Sequence, residues 1–495
     1  MPPEPPRRVD LLIRDAYVIT MDAARTIHPR GAVAVDGGRI VAVGPEAEVA
    51  AEVDPARVID AHGAAVHPGF VDCHAHVTFH LVRGAFGDAC PIDAFASAQF
   101  PYANLIDDEE EHASALLSVA EMLRSGTTCF VEAGTAFEPD AAAAAAQRLG
   151  IRALLGDPFV MDLGDVGIER VTATLARSLD VLGGQLHRNA DPDALVRGAV
   201  VIQGIGTSSD ELHLAAHALA EREGVILNQH QNYEQHDTDA HDAHCGCHGV
   251  AHLERIGALS ERVLLGHLNV VRDDEYEALL RCRPSVAWNP TGSMLWGVGG
   301  TLRGRHLDLH RAGLRVALGS DASNWANAFD VGEQGYVALL TQRERYGARD
   351  AMTALDAMEM ATIGGAHAAG LADEIGSLEA GKRADLVIRS DDVPEMRPTF
   401  DPLAQVVLSS RARSVRTVVV DGRVVLEDGR LTGMDAREVA EGADRAAVGL
   451  FRRMGYRGEL TGRPLGPAGR AATAATDTPA VTGTSMTTPT SEQAR

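Results

Sequence analysis

The sequence predicts an α/β protein: a barrel of repeated strand-then-helix units beside a small β domain that both chain ends build together. Three observations predict it. Eight apolar, strand-like runs lie in the middle of the 495-residue chain, most of them separated by helix-like stretches. Each of those runs finishes at or near a polar residue, and a hairpin signal near the amino end returns near the carboxyl end. A chain of this length buries a large core and is expected to hold more than one structural unit.

Residues 9–66 read as short strands. Within them Val33–Asp36 and Arg39–Val41 flank an Asp-Gly-Gly turn, a strong hairpin signal. The pattern recurs at Val418–Val420, Asp421-Gly422 and Arg423–Val425. Between these pieces the candidate strands are 66–72, 127–133, 151–157, 198–204, 224–230, 262–267, 284–289 and 313–321. Helical stretches such as Asp108–Arg124, Asp210–Glu223 and Asp273–Arg281 separate them. Repeated units of this kind imply a parallel sheet, and eight of them suggest a closed barrel. A doubly wound open sheet would show the same alternation. The strand ends weigh more: they fall at His74 and His76, then Glu132, Asp157, Gln203, His230, His267, Asn289 and Asp321. In a barrel, the carboxyl ends of all strands open into one mouth, where the active site sits. Residues 436–454 read as a terminal helix, with Val439, Ala443 and Leu450 on one face. From Gly466 the composition turns to Ala, Thr, Pro, Gly and Ser, expected to be a disordered tail. The expected units are therefore 1–66 and 373–435 for the β domain, 67–372 for the barrel, 436–465 for a helical segment and 466–495 for the tail.

Composition excludes several classes. Apolar residues make up 45% and charged residues 23%, an ordinary globular balance. A formal charge of −24 disfavours nucleic acid and anionic membranes as partners. The start, MPPEPPRRVDLLIRD, lacks the apolar core of a signal peptide, and no run of about 18 apolar residues exists to span a bilayer. Six scattered cysteines read as thiols of a reducing compartment, so the cytoplasm is the expected location. The single lysine, Lys382, lies far from every histidine motif, so a carboxylated-lysine bridge between two metals is not available. One divalent ion is expected.

His74-Ala75-His76 ends a mostly apolar run, and residues two apart on a strand project to the same face. Both imidazoles can then reach one ion. His230 ends Val225–Gln229 and Asp321 ends Leu314–Ser320; both are ligand types suited to zinc, the expected ion, or to ferrous iron. Three imidazoles and a carboxylate leave room for a water whose pKa the ion lowers, to about 7 in favourable zinc sites.

At these residues the chain resembles a known family. HPGFVDCHAHVTFHLVRG at 67–84, SGTTCFVEAG at 125–134 and LLGHLNVVRDDEYEALL at 264–280 are similar to motifs of the amidohydrolase superfamily. WNPTGSM at 288–294, LRVALGSDASN at 314–324 and ATIGGAHAAGLADEIGSLEAGKRADLV at 361–387 are too. The nearest branch is that of methylthioadenosine/adenosylhomocysteine deaminases, guanine deaminases and triazine hydrolases. The resemblance implies a TIM-type (β/α)8 barrel flanked by a β-sandwich from both termini. It implies metal ligands at His74, His76, His230 and Asp321, with Asp321 also taking the water's proton. His267 falls near the water and the attacked carbon, where an imidazole can stabilise developing charge. One departure matters. Deaminases of this branch carry a glutamate three residues after the fifth-strand histidine, where this chain has Tyr233 followed by Glu234. Either residue can serve as the acid, or the leaving group needs none.

Residues 236–252 hold His236, His241, His244, Cys245, Cys247, His248 and His252, a density that could bind a second ion. Their spacing matches no standard zinc motif, and a polar lid over the pocket is the simpler expectation. Trp288, Trp296 and Trp325, all near the ends of the seventh and eighth strands, could stack on a flat heterocycle or fill loop cores. Phe79, His80, Glu132, Gln203 and Asn324 are further candidates for the substrate wall. The expected activity is hydrolytic deamination of an amino-substituted nitrogen heterocycle of purine, pterin, pyrimidine or triazine type. The rivals are dechlorination or cyclic amide hydrolysis on the same machinery, and a binding module that has lost turnover. A small-molecule heterocycle is thus the expected partner, and the family's habit implies a homo-oligomer.

Overall fold

The computed structural model describes residues 5–85 and 101–455, except 165, 205, 327 and 391 and the side chains of 244 and 325. The expected tail at 466–495 lies outside the described residues, as does the end of the 436–465 segment beyond residue 455.

Both chain ends enter one nine-stranded sheet. Strands Arg7–Ile19, Ile27–Asp36, Arg39–Pro45, Val53–Asp60 and Ala65–Pro68 come from the amino end; Leu386–Arg389, Val415–Val420, Arg423–Glu427 and Arg430–Leu431 come from the carboxyl end. The ends meet where Ala65–Pro68 pairs antiparallel with Leu386–Arg389. Both hairpin signals make two-residue turns with left-handed backbone: Gly37 and Gly38 at φ 56° and 80°, Asp421 and Gly422 at 51° and 74°. Such turns match the right-handed twist of the flanking strands. The two turns pack on one another, because a Cβ on Gly422 would lie 2.7 Å from Gly38 Cα.

The middle of the chain forms two five-stranded parallel sheets. One runs through Asp321–Ala322, Phe70–His76, Thr127–Glu132, Arg152–Leu155 and Val196–Gly198. The other runs through Val200–Gly204, Leu227–Gln231, Val263–His267, Ser285–Trp288 and Arg315–Leu318. Two expected strands are each divided between the sheets: 198–204 at Ala199, and 313–321 at Gly319-Ser320. Strands such as Phe70–His76 and Val263–His267 are buried along their whole length. This is why Val263–Gly266 reads as an unbroken apolar run, whereas Phe70–His76 carries polar residues at every second position from Asp72 onward.

The connecting helices begin and end where sequence chemistry dictates. Helix Asp108–Ser125 opens on Asp107, which accepts from Glu110 N while Glu110 accepts from Asp107 N. Two of the helix's otherwise unpaired donors are satisfied this way. It stops at Gly126 in a left-handed conformation that a side chain would strain. Helix Asp210–Glu223 is capped by Ser209 and stopped by Gly224 in the same manner. The terminal helix, Ala436–Arg453, buries Val439, Ala443, Ala447, Leu450 and Phe451 and packs against Asp108–Ser125. Among the described residues, no helix is long and apolar enough to cross a membrane.

Candidate metal centre

Strand Phe70–His76 alternates its side chains, so Asp72, His74 and His76 share one face. At its carboxyl end His74 Nε2 and His76 Nε2 stand 3.2 Å apart. His230 reaches in from strand Leu227–Gln231, its Nε2 3.4 Å from His76 Nε2. Asp321 comes from the neighbouring strand, with Oδ1 3.6 Å from His76 Nε2. His267, at the end of Val263–His267, places Nδ1 3.9 Å from Asp321 Oδ2. One donor atom each from His74, His76 and His230 lies within 4.8 Å of the others, and the same holds for His74, His267 and Asp321.

The electrostatics of this cluster favour a cation. Burial, then the like charges of neighbouring imidazoles, holds His74, His76 and His267 well below the usual histidine range. Burial takes His230 down to about 4. All four rings are therefore neutral, with lone pairs available. Burial also raises Asp321 to about 7, and its Oδ2 has no hydrogen-bond partner among the described residues. Neutral nitrogen donors and a carboxylate oxygen, brought together with no Lys or Arg bonded to them among the described residues, form a nitrogen–oxygen set that fits a divalent ion such as zinc.

The supporting residues explain why the donors point inward. Thr135 Oγ1 donates to Glu132 Oε1 at 2.7 Å and faces His76 Nδ1 at 2.8 Å. With its proton engaged on Glu132, that hydroxyl accepts from His76 Nδ1–H, which leaves the His76 Nε2 lone pair facing the centre. Asp72 accepts from the main chain of His74 and Ser320 and from the Ser320 hydroxyl. It thereby ties the first parallel strand to the chain break before Asp321. His306 Nε2 donates to His267 O at 2.7 Å, and Trp288 stacks on His306 with ring centroids 4.6 Å apart. His267 and Asp321 sit at φ 73° and 67°, left-handed for residues with side chains. Such strain concentrates at functional sites. Gly266 lets His74 approach closely, since a Cβ there would stand 2.8 Å from the His74 ring.

The sequence candidates divide. His74, His76, His230, His267 and Asp321 converge. Tyr233 packs edge-on against His267, centroids 4.9 Å apart at 81°, whereas Glu234 forms the amino-terminal cap of helix Gln235–Cys245. Phe79 stands 6.2 Å from the His76 ring and packs on Tyr102. His80 turns to Ser118 and Glu121 on helix Asp108–Ser125. Glu132 is directed into its own turn, bonded to Gly134 N, Thr135 N and Thr135 Oγ1. Gln203 donates to Gly134 O. Trp288 is fully buried in the core behind His306, and Trp296 is half-buried at the end of helix Pro290–Leu295. Asn324 is buried in helix Ser323–Ala326; Trp325 belongs to the same helix, but its side chain lies outside the described residues. The segment read as a lid forms helices Gln235–Cys245 and Gly249–Ile256. Sequence reading did not single out Asp72, Thr135, Ser320 or His306. Asp72 carries a readable signal, two residues before His74 and so on the same face. Thr135 and His306 carry none, because their partners are distant in the chain.

Neutral imidazoles and a carboxylate gathered at the carboxyl ends of parallel strands define a hydrolase site of the metal-binding class. Residues 65–425 match the model of the amidohydrolase family, and this chain belongs to that family, whose hydrolases act on carbon–nitrogen bonds. A short second match, to an imidazolonepropionase-like composite domain of bacteria, covers residues 31–52. The chain is 31% identical over 444 residues to a 5-methylthioadenosine/S-adenosylhomocysteine deaminase of Desulforudis audaxviator, covering 89% of this chain and 99% of that one. It is similar to the structure of an adenosine deaminase from Xanthomonas campestris with bound zinc, at 27% identity and TM-score 0.82, covering 90% and 99% of the two chains. A triazine hydrolase of Arthrobacter aurescens shares the fold, with 24% identity, TM-score 0.80 and coverage of 88% and 99%.

Proposed function

We propose that this chain hydrolytically deaminates an amino-substituted nitrogen heterocycle, using one divalent ion held by His74, His76, His230 and Asp321. The observation that carries the reading is that one donor atom each from His74, His76 and His230, and likewise from His74, His267 and Asp321, lies within 4.8 Å of the others, while Asp321 Oδ2 has no hydrogen-bond partner among the described residues. Zinc is the ion of choice: the donors are nitrogen and carboxylate oxygen, and the Xanthomonas campestris relative binds it. When bound, it supplies Lewis acidity and lowers the pKa of water.

The chain's own residues do the rest. Asp321 accepts a proton from the attacking water. His267, neutral and held by His306 through its carbonyl, stabilises the charge that develops at the attacked carbon. Tyr233, against His267, is proposed to meet the leaving nitrogen; Glu234, whose main-chain N donates to Asp237 Oδ2 at the start of helix Gln235–Cys245, is the second candidate. Phe79, Gln203, Trp296 and Asn324 stand as the substrate wall in this reading. Glu132 and Trp288 act behind it, through Thr135 and His306.

The same proposal covers the architecture. The two parallel sheets continue into one another along the chain at Ala199 and at Gly319-Ser320, which supports one closed eight-stranded barrel over 67–372. The nine-stranded sheet packs one apolar cluster around Ile13, Val33 and Leu386 and a second around Leu12, Ala34 and Val49, which supports a sandwich from 1–66 and 373–435. Met294, Leu295 and Leu302 are exposed on two adjoining helices and support a homo-oligomer. A reducing, cytoplasmic setting accords with the five cysteines among the described residues, each of them unpaired.

A substrate panel tests the chemistry. The zinc-loaded protein should release ammonia from 5-methylthioadenosine, S-adenosylhomocysteine, 5′-deoxyadenosine, guanine or an aminotriazine, and a chelator should abolish the release. Chloride from atrazine without ammonia from any member would replace deamination by dechlorination. Neither product, from protein loaded with one equivalent of zinc, would leave a binding module.

A further inference from the structure

We propose a second metal site, separate from the catalytic centre, formed by His241, Cys245 and His252 with Asp210 as fourth ligand, for a zinc-like divalent cation. His241 and Cys245 are four residues apart on helix Gln235–Cys245, so they occupy one face. His252 faces them from helix Gly249–Ile256, its ring 5.2 Å from that of His241. One donor atom from each of the three lies within 4.8 Å of the others. Asp210, on the first turn of helix Asp210–Glu223, has Oδ1 2.6 Å from His252 Nε2. These side chains line a cavity of about 900 Å³ that also admits Ser208 and His213.

The chemistry suits a borderline-soft ion. Two imidazoles, a thiolate and a carboxylate are ordinary zinc ligands, and the two anions balance a divalent charge. Without an ion, the Arg255 guanidinium donates to His252 Nδ1 at 2.6 Å, and the ring proton sits on Nε2, towards Asp210. When the ion binds at Nε2, the ring proton moves to Nδ1 and the guanidinium turns away from it, keeping its bond to Cys245 O. The one proton released is that of the Cys245 thiol, so both imidazoles stay neutral. Small side-chain rotations bring donors now within 4.8 Å to the separations of a tetrahedral zinc, whose bonds run about 2.0–2.3 Å.

The site stands behind the barrel wall. On strand Leu227–Gln231, His230 faces the catalytic centre, and Gln229, on the neighbouring position and so the opposite face, is close to His213, which lines the same cavity as the second cluster. An ion there would clamp three helices together, one of which starts directly after Tyr233 and Glu234.

Cobalt titration of the metal-free full chain decides the matter, because the catalytic centre has no thiolate whereas the second site has one. Two equivalents of Co²⁺ should bind, and one should develop the near-ultraviolet charge-transfer band of a thiolate–cobalt bond. Cys245→Ser should remove one equivalent and the band while keeping turnover within about twofold; His241→Gln, which retains the thiol, should also lose the second equivalent. Saturation of the wild type at one equivalent without the band would overturn the proposal. So would a Cys245→Ser or His241→Gln protein that keeps both equivalents. Loss of catalysis with the thiolate band intact would instead count against the deaminase reading alone.

Discussion

Thr135 is the most informative residue to change, because it touches a proposed ligand without being one. Its Oγ1 lies 2.8 Å from His76 Nδ1 and 2.7 Å from Glu132 Oε1. Thr135→Val keeps the shape and removes the hydroxyl. Glu132 loses one of its partners but keeps Gly134 N and Thr135 N. His76 loses more: its ring is buried, and among the described residues the Thr135 hydroxyl is the hydrogen-bond partner of its Nδ1–H. Leaving such a donor unsatisfied costs about 1–3 kcal/mol. The ring then has two ways out, rotating or moving its proton to Nε2, and both withdraw the lone pair from the ion. Loss of an outer-shell partner of this kind weakens metal binding by roughly 10–100-fold.

The assay is competition with a chelator for zinc, compared between wild type, Thr135→Val and Thr135→Ser. The valine variant should bind zinc roughly 10–100-fold more weakly, and its turnover should recover as zinc is added. The serine variant should restore most of the affinity, since it returns the hydroxyl. A valine variant that binds zinc within about threefold of wild type would refute the role of Thr135 and the tautomer argument with it.

Asp321→Ala should abolish turnover while the circular dichroism spectrum and melting profile stay near wild type; near-normal activity would remove its role as proton acceptor. Gly266→Ala should lose zinc affinity, because the new Cβ stands 2.8 Å from the His74 ring, and metal content after gel filtration measures it. Tyr233→Phe should lower kcat by roughly 10²–10⁴-fold if the phenol meets the leaving nitrogen as general acid; Glu234→Gln should change kcat little, and the reverse pattern would transfer the role to Glu234. Far from the site, burial of His310 favours its neutral form, but the carboxylates of Asp356 and Glu359, 3.6 and 3.5 Å from its Nε2, outweigh this and push it up to about 9. A raised pKa contributes stability that is fully present below the unfolded value near 6.5 and is lost as pH rises through 9. The stability gap between wild type and His310→Gln, read from denaturant melts, should be largest near pH 6 and shrink towards pH 10.

The strand ends made the centre legible, and a particular geometric fact explains why. A fully buried parallel strand shows its length as an apolar run, and the first polar residue after the run marks where it enters the mouth. His267 announces itself this way; His74 and His76 come shortly after Asp72, His230 after Asn228 and Gln229, and Asp321 after Ser320, although 247 positions separate the first of these ligand candidates from the last. The breaks at Ala199 and Gly319-Ser320 were not legible, because pairing partners rather than residue type set them. Trp288 was misleading for a related reason. It ends its strand as the ligands do, but its side chain faces His306 and the core, and a one-residue step along a strand reverses the face.

Glu132 shows the same limit from the other side. A carboxylate at a strand end reads as a pocket group, but Gly134 N, Thr135 N and Thr135 Oγ1 lie closer than any ligand could. The turn that follows the strand folds back and takes the carboxylate for itself. What the carboxylate loses as a substrate contact it regains through Thr135, whose orientation it sets. Burial raises Glu132 to about 7, against the hydrogen bonds from Thr135 and Gly134 that favour its ionised form. An ionised Glu132 keeps the Thr135 proton on its own side, and that requires His76 to donate from Nδ1. The tautomer of a proposed ligand is thus decided two residues away from the ion, by a turn whose sequence, Glu132-Ala133-Gly134-Thr135, contains no metal-binding motif at all.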